Sequence, residues 1–219
     1  MSRIHPAENK CTIRKAVHED IDDCPSVLTV WKKSSMTFQG TDGFTVFNRD
    51  GRLAFRVDNY TRKNPRLTGG LLLMDGAGKA LMTLKPQIWS MQQQWNGFKG
   101  EDGCSRKSPI LFSMRRGSSI SMLVQSNNID EAKVFMGGRG PTADFRIEGS
   151  FRRRCCKIRG PTGEVAAEIT RKKVNSSVLL SNDVFSLVVQ PGFDSELIMA
   201  FVVVMDRICR KSFAPLLCS

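Results

Sequence analysis

From Leu197 to Met205, nine apolar residues follow one another without interruption. At 100° per residue such a run covers every face of a helix. Its flanks read as helix ends: Asp194 or Ser195 as N-cap, Glu196 in the first turn, and Arg207, Arg210 and Lys211 at the negative end of the dipole. A membrane span needs about 20 apolar residues, and this run is closed by Glu196 and Asp206. A helix over 194–208 with no polar face must therefore be enclosed by protein on all sides.

The rest of the chain supplies the enclosure as strands. Val27–Trp31, Phe44–Phe47, Leu53–Val57 and Leu71–Met74 are short β-branched, aromatic or leucine-rich runs bounded by Gly, Asp and Asn. Similar runs recur at 80–85, 95–99, 110–114, 121–125, 131–136, 145–149, 154–159, 164–170 and 184–189. About a dozen strands at this spacing suit a sandwich or a barrel. Asn48-Arg49-Asp50-Gly51-Arg52, Asp75-Gly76-Ala77-Gly78-Lys79 and Gly160-Pro161-Thr162-Gly163 read as tight hairpin turns with glycine at positive φ. The expected fold is all-β with one buried helix, a β-barrel of about twelve strands around a hydrophobic C-terminal α-helix. The expected division is a polar N-terminal extension over 1–25, a barrel domain over 26–210 and a C-terminal tail over 211–219.

Charge narrows the partners. The 33 Lys and Arg outnumber the 21 Asp and Glu, for a net +12. Four basic and five acidic residues fall within 1–25, so the body holds all of the excess. Anionic partners are favoured. The start of the chain has mixed charge and no apolar stretch of the kind a secretory signal needs. The expected location is intracellular: cytoplasmic, peripheral at the plasma membrane, or nuclear. No transmembrane span is expected, and the protein is expected to be a monomer.

Enzyme signatures are sparse. The only histidines, His5 and His18, lie in the polar N-terminal segment, so a Ser/His/Asp or Cys/His centre in the body has no imidazole. The seven cysteines have no C-x-x-C spacing and read as free thiols, mostly small buried hydrophobes. Gly137-Gly138-Arg139-Gly140 lacks the Gly-Lys-Ser/Thr of a phosphate loop, and Pro141 stops the helix such a loop requires. It reads as a turn. No cofactor, no metal and no enzymatic activity are expected.

Val30-Trp31-Lys32-Lys33-Ser34, Gly43-Phe44-Thr45-Val46-Phe47 and Phe55-Arg56-Val57-Asp58-Asn59-Tyr60 resemble the plant LURP-one-related family. That family is a branch of the tubby C-terminal-like superfamily, which also includes the phospholipid scramblases. Leu73-Met74-Asp75 with Gly78–Leu84, Trp95 with Phe98–Glu101, and Asn182–Phe185 through Pro191–Asp194 into Leu197–Ala200 and Met205-Asp206 extend the resemblance over roughly 26–208. Where the family often has basic residues after Thr-Leu, this chain has Lys85-Pro86-Gln87.

The resemblance implies a tubby C-terminal-like barrel of twelve strands around a hydrophobic helix. It also implies a non-enzymatic binding or adaptor protein that recognises anionic phospholipid headgroups such as phosphoinositides and is linked to plant defence. The alternative it implies is a membrane-tethered transcription regulator of the tubby-like type that binds nucleic acid. Groove recognition wants an exposed helix or ribbon, or stacking aromatics, and the one expected helix is buried, so nucleic acid ranks second. The scramblase relatives imply calcium in the segment matching Asn182–Glu196. Asp183, Asp194 and Glu196 are too few carboxylates for it.

Hairpin pairing nominates the binding residues. A symmetric turn at Gly160–Gly163 would set Arg159 opposite Glu164, Ile158 opposite Val165, Cys156 opposite Ala167, Arg154 opposite Ile169 and Arg152 opposite Arg171. Alternation then places Arg152, Arg154 and Arg171 at the end of an otherwise apolar, barrel-facing surface. Like charges directly opposed on a sheet are destabilising, so the three arginines are candidates for holding an anionic headgroup. The alternative is that they fan into water or pair with Glu148 or Asp144.

Overall fold

The computed structural model describes residues 24–33, 43–59, 69–87, 94–101, 108–117, 132–138, 140–173 and 180–210. The strands are β1 (Ser26–Lys33), β2 (Gly43–Phe47), β3 (Leu53–Asn59), β4 (Leu71–Asp75), β5 (Ala80–Pro86) and β6 (Gln94–Lys99), then β7 (Ile110–Arg116), β8 (Ala132–Met136), β9 (Phe145–Ser150), β10 (Cys155–Arg159), β11 (Val165–Arg171) and β12 (Val184–Val189); helix α1 spans Ser195–Arg210. Each strand pairs antiparallel with its neighbour in sequence, and β1 pairs with β12 to close the barrel. Closure leaves no unpaired sheet edge. The expected runs are strands wherever they fall among the described residues; the run at 121–125 lies outside them, as do residues 1–23 and 211–219.

Twelve strands explain why a helix fits inside. An eight-stranded barrel is filled by its own side chains, and the bore widens with strand number until it admits a helix about 10 Å across. Helix α1 occupies that bore. Residues 198–206 are all buried, as are Ile208 and Cys209. Inward side chains from the whole circumference meet it, among them Val30, Leu84, Met114, Ile158 and Leu187. Phe112 sets its ring edge-on to Phe201 at 4.9 Å, and Phe145 meets the same ring at 5.3 Å. Among the described residues no helix is long and apolar enough to cross a membrane.

Asp194 is the N-cap of α1. Its Oδ1 accepts the backbone N–H of Glu196 at 2.8 Å and of Leu197 at 3.4 Å, satisfying donors that the first turn leaves open. The helix begins beside the end of β12 and runs back through the bore. It therefore finishes at the barrel end where odd-numbered strands stop and even-numbered strands start.

One expectation about the β10–β11 hairpin is corrected. Cys156 faces Ile169 and Ile158 faces Ala167, with a bulge between Ile158 and Arg159 that sets Arg159 opposite Val165. Beyond the bulge the pairing is displaced by two residues from the symmetric turn. A shift of two preserves the faces, and Cys156, Ile158, Ala167 and Ile169 are buried. Pairing ends at Cys155, opposite Thr170 and Ser150. Arg152 and Arg154 therefore lie in the 151–154 turn, and Arg152 does not oppose Arg171. Arg171 pairs instead with Phe185 of β12.

Candidate functional site at the helix-exit end of the barrel

Three basic side chains converge where α1 leaves the bore. A cavity of about 310 Å³ there is lined by Lys32, Phe151, Arg152, Arg154, Asn182, Asp183, Asp206 and Cys209. Arg154 is 5% exposed and sits with φ of 53°, a left-handed conformation uncommon for a residue with a Cβ. That twist ends the turn and swings the guanidinium inward, over the rings of Phe185 at 4.2 Å and Phe151 at 4.4 Å. Its Nε donates to the Asn182 carbonyl at 2.8 Å, while Nη1 is buried with no hydrogen-bond partner among the described residues. Stacking on π faces offsets part of that loss. Burial pulls the Arg154 pKa below its ordinary value, and Asp206 and then Asp183 push it back.

The other cations serve the helix terminus. Lys32 Nζ lies 2.8 Å from Asp206 Oδ1, and Arg152 Nη2 donates to the Cys209 carbonyl at 3.0 Å. Cations at a helix C-terminus complement the negative end of the dipole. Of the three arginines nominated by sequence, Arg152 and Arg154 line one cavity. Arg171 is exposed at the end of β11, opposite the Phe185 on which Arg154 stacks. Neither carboxylate proposed as an alternative partner is used this way: Glu148 binds Arg159 at 2.9 Å, and Asp144 accepts the Met136 N–H at 2.7 Å. Lys32 and Asp206 escaped the sequence reading, although a carboxylate ending an all-round apolar helix was a signal that some cation must follow it inside.

The charge of the barrel is polarised along its axis. At the helix-exit end β7 stops at Arg115-Arg116, the 151–154 turn carries three consecutive arginines, and β11 runs out through Arg171-Lys172-Lys173. Among the described residues, Asp58, Asp183 and Asp206 stand against them. The opposite end mixes signs, with Asp75, Glu101, Asp144, Glu164 and Asp194 beside Arg49, Arg52, Lys79 and Lys99. Asp183 and Asp194 lie at opposite ends of β12, so the acidic segment does not gather its carboxylates at one point. Of the described cysteines, Cys156 and Cys209 are buried and Cys24 and Cys155 exposed, all as free thiols.

The profile of the LURP-one-related family matches residues 26–206, from the first strand to the last turns of the helix. The chain belongs to this family. LURP-one-related 5 of Arabidopsis thaliana is 39% identical over 183 residues, covering 83% of this chain and 82% of that one. LURP-one-related 8 of the same plant is 34% identical over 221 residues, covering 97% and 100%. An X-ray structure of an Arabidopsis thaliana protein superposes with a TM-score of 0.59 at 21% identity, covering 87% of this chain and 97% of that one. This likeness concerns the fold: the LURP-one-related barrel with its central helix recurs there.

Proposed function

We propose that this LURP-one-related protein is a non-enzymatic binding protein that sets the helix-exit end of its barrel against anionic phospholipid headgroups, phosphoinositides in particular. The family resemblance supports a link of that activity to plant defence. The axial charge asymmetry carries the reading. A rigid barrel with its cations gathered at one end is steered end-on toward an anionic surface. Arg152 and Arg171, both exposed, are the headgroup contacts, and buried Arg154 is a positioning residue that holds the turn bearing Arg152. Trp31 is 53% exposed on β1, immediately before Lys32, where an indole can settle at the headgroup level beside the cations. The location that follows is peripheral, on an inner membrane face.

Sedimentation with vesicles containing phosphatidylinositol 4,5-bisphosphate, at physiological salt, tests the reading. The native chain should pellet with them and stay in solution with phosphatidylcholine alone. The Arg152→Gln/Arg171→Gln variant, both sites being exposed, should stay folded and lose most of its binding. Unchanged binding by that variant moves the contact elsewhere, and no binding by the native chain removes the lipid reading altogether.

A further inference from the structure

Over β12, β1 and β2 the outer wall of the barrel is uncharged along three cross-strand rows. Ser186, Thr29 and Phe47 form the middle row, Val184, Trp31 and Thr45 the row nearer the helix exit, and Val188 and Val27 the row beyond. None of these outward side chains is charged, although 25% of the chain is. Trp31 and Leu53, which pairs with Phe47, are the two large hydrophobic side chains left exposed among the described residues, and both belong to this wall.

Charge returns at the flanks. On β3, Arg56 stands opposite Thr45 and is answered within the chain by Asp58 at 2.7 Å. On β11, Glu168 pairs with Val188 and Thr170 with Ser186, while Lys172, two residues further on, lays its Nζ on the Thr29 hydroxyl at 3.2 Å. Glu168 and Lys172 therefore stand equally far on either side of the middle row. Neither is held in an ion pair among the described residues. An aromatic and aliphatic centre with a charged rim has the anatomy of a protein–protein contact.

Charge also selects the occupant. Two copies of a chain with net +12 repel wherever cations face cations, and this wall lets them meet without doing so. A two-fold axis across the strands, along the middle row, lays each strand over its own counterpart in the opposite direction. It sets Trp31 of each copy over Val27 of the other and Val184 over Val188, and it brings Glu168 opposite Lys172 twice. Such self-complementarity is what an isologous contact requires, and sheets pack face to face in this way. We propose that the β12–β1–β2 wall joins two copies of this chain in solution. A convex barrel wall offers a strip only about 15 Å wide, three strand spacings, so the contact is small and the dimer weak and concentration-dependent. Trp31 is the same indole that would settle among headgroups, so self-association and membrane contact exclude each other. The dimer does not rest on the lipid reading, because it forms without vesicles.

Sedimentation equilibrium of the full chain at physiological salt, up to about 200 µM to cover micromolar affinities, tests the proposal. The mean mass should rise with concentration toward twice that of one chain. Trp31→Lys, which sets a cation against an apolar row, should keep the chain monomeric throughout. Lys172→Glu should weaken the dimer about ten-fold by facing carboxylate with carboxylate. Adding Glu168→Lys should restore it, because the pair is then only reversed, and restoration shows that the fold is intact. A monomer at every concentration, a dimer indifferent to Trp31→Lys, or a double reversal no tighter than Lys172→Glu overturns the proposal. Vesicle sedimentation keeps the two readings apart: a dimer that ignores vesicles removes only the lipid reading, and a chain that binds vesicles but never dimerises removes only this one.

Discussion

Lys32 and Asp206 join the end of β1 to the last turns of the central helix through a contact of 2.8 Å, with side chains 14% and 4% exposed. The carboxylate closes the apolar run of the helix, and its burial is tolerable because an ammonium follows it inside. Lys32→Met leaves a buried charge without its principal counter-ion, a change that costs about 3–5 kcal/mol in comparable pairs. Urea unfolding should register the loss. Adding Asp206→Leu should recover part of it, because an apolar pair of similar volume is close to neutral while buried Arg154 loses the carboxylate that most favours its charged form. A double variant no more stable than Lys32→Met would show that the pair is not the source of the loss.

Arg154 combines two separable contributions. Any truncation removes the stack on Phe151 and Phe185, while the φ of 53° penalises only residues with a Cβ. Arg154→Ala and Arg154→Gly should therefore both destabilise, with the glycine variant the more stable by about 1 kcal/mol. Thermal melts of the two, side by side, read the backbone contribution directly. Equal melting temperatures would mean that the turn relaxes out of the left-handed region once the stack is gone.

The barrel and its helix were legible because they depend on period. Nine apolar residues in sequence and runs that alternate between glycine-bearing turns leave few alternatives, and Asp194 and Gly163 sit where cap and turn chemistry put them. The arginine cluster was not legible in the same way. Its predicted register assumed regular pairing, whereas the bulge at Arg159 moved every pair beyond it by two, and the left-handed Arg154 ended β10 before Arg152 could join it. The left-handed choice at Arg154 goes with a stack that needs Phe185 of β12, a ring that no local window around Arg154 contains.

Gly97 marks how tightly the bore is filled. A Cβ there would lie 2.2 Å from Cε1 of Phe112, a fully buried ring already edge-on to Phe201. Gly97→Ala should cost about 1–3 kcal/mol through overpacking. In the Gly97→Ala background, Phe112→Leu should recover part of that cost by vacating the space. Denaturant midpoints for the single and double variants check this, and an additive further loss in the double variant would rule out the ring as the obstacle.

The β10–β11 turn supplies a pH-dependent contact. Thr162 Oγ1 donates to Glu164 Oε2, and chiefly because of that hydroxyl, with backbone N–H groups adding to it, the Glu164 carboxyl titrates below its ordinary 4.5. A carboxyl that is more acidic in the folded chain than in the unfolded one stabilises the fold above the unfolded value. That contribution is lost as pH falls through the folded value. Thr162→Val removes the donor while keeping the shape, so the Glu164 titration, followed by NMR at its side-chain carboxyl carbon, should move up toward the ordinary value. The variant's deficit in stability should be present at neutral pH and vanish in acid, once Glu164 is protonated in both proteins. The group is fully exposed, so the deficit should be small, and a titration curve unmoved by Thr162→Val would assign the lowered value to the backbone alone.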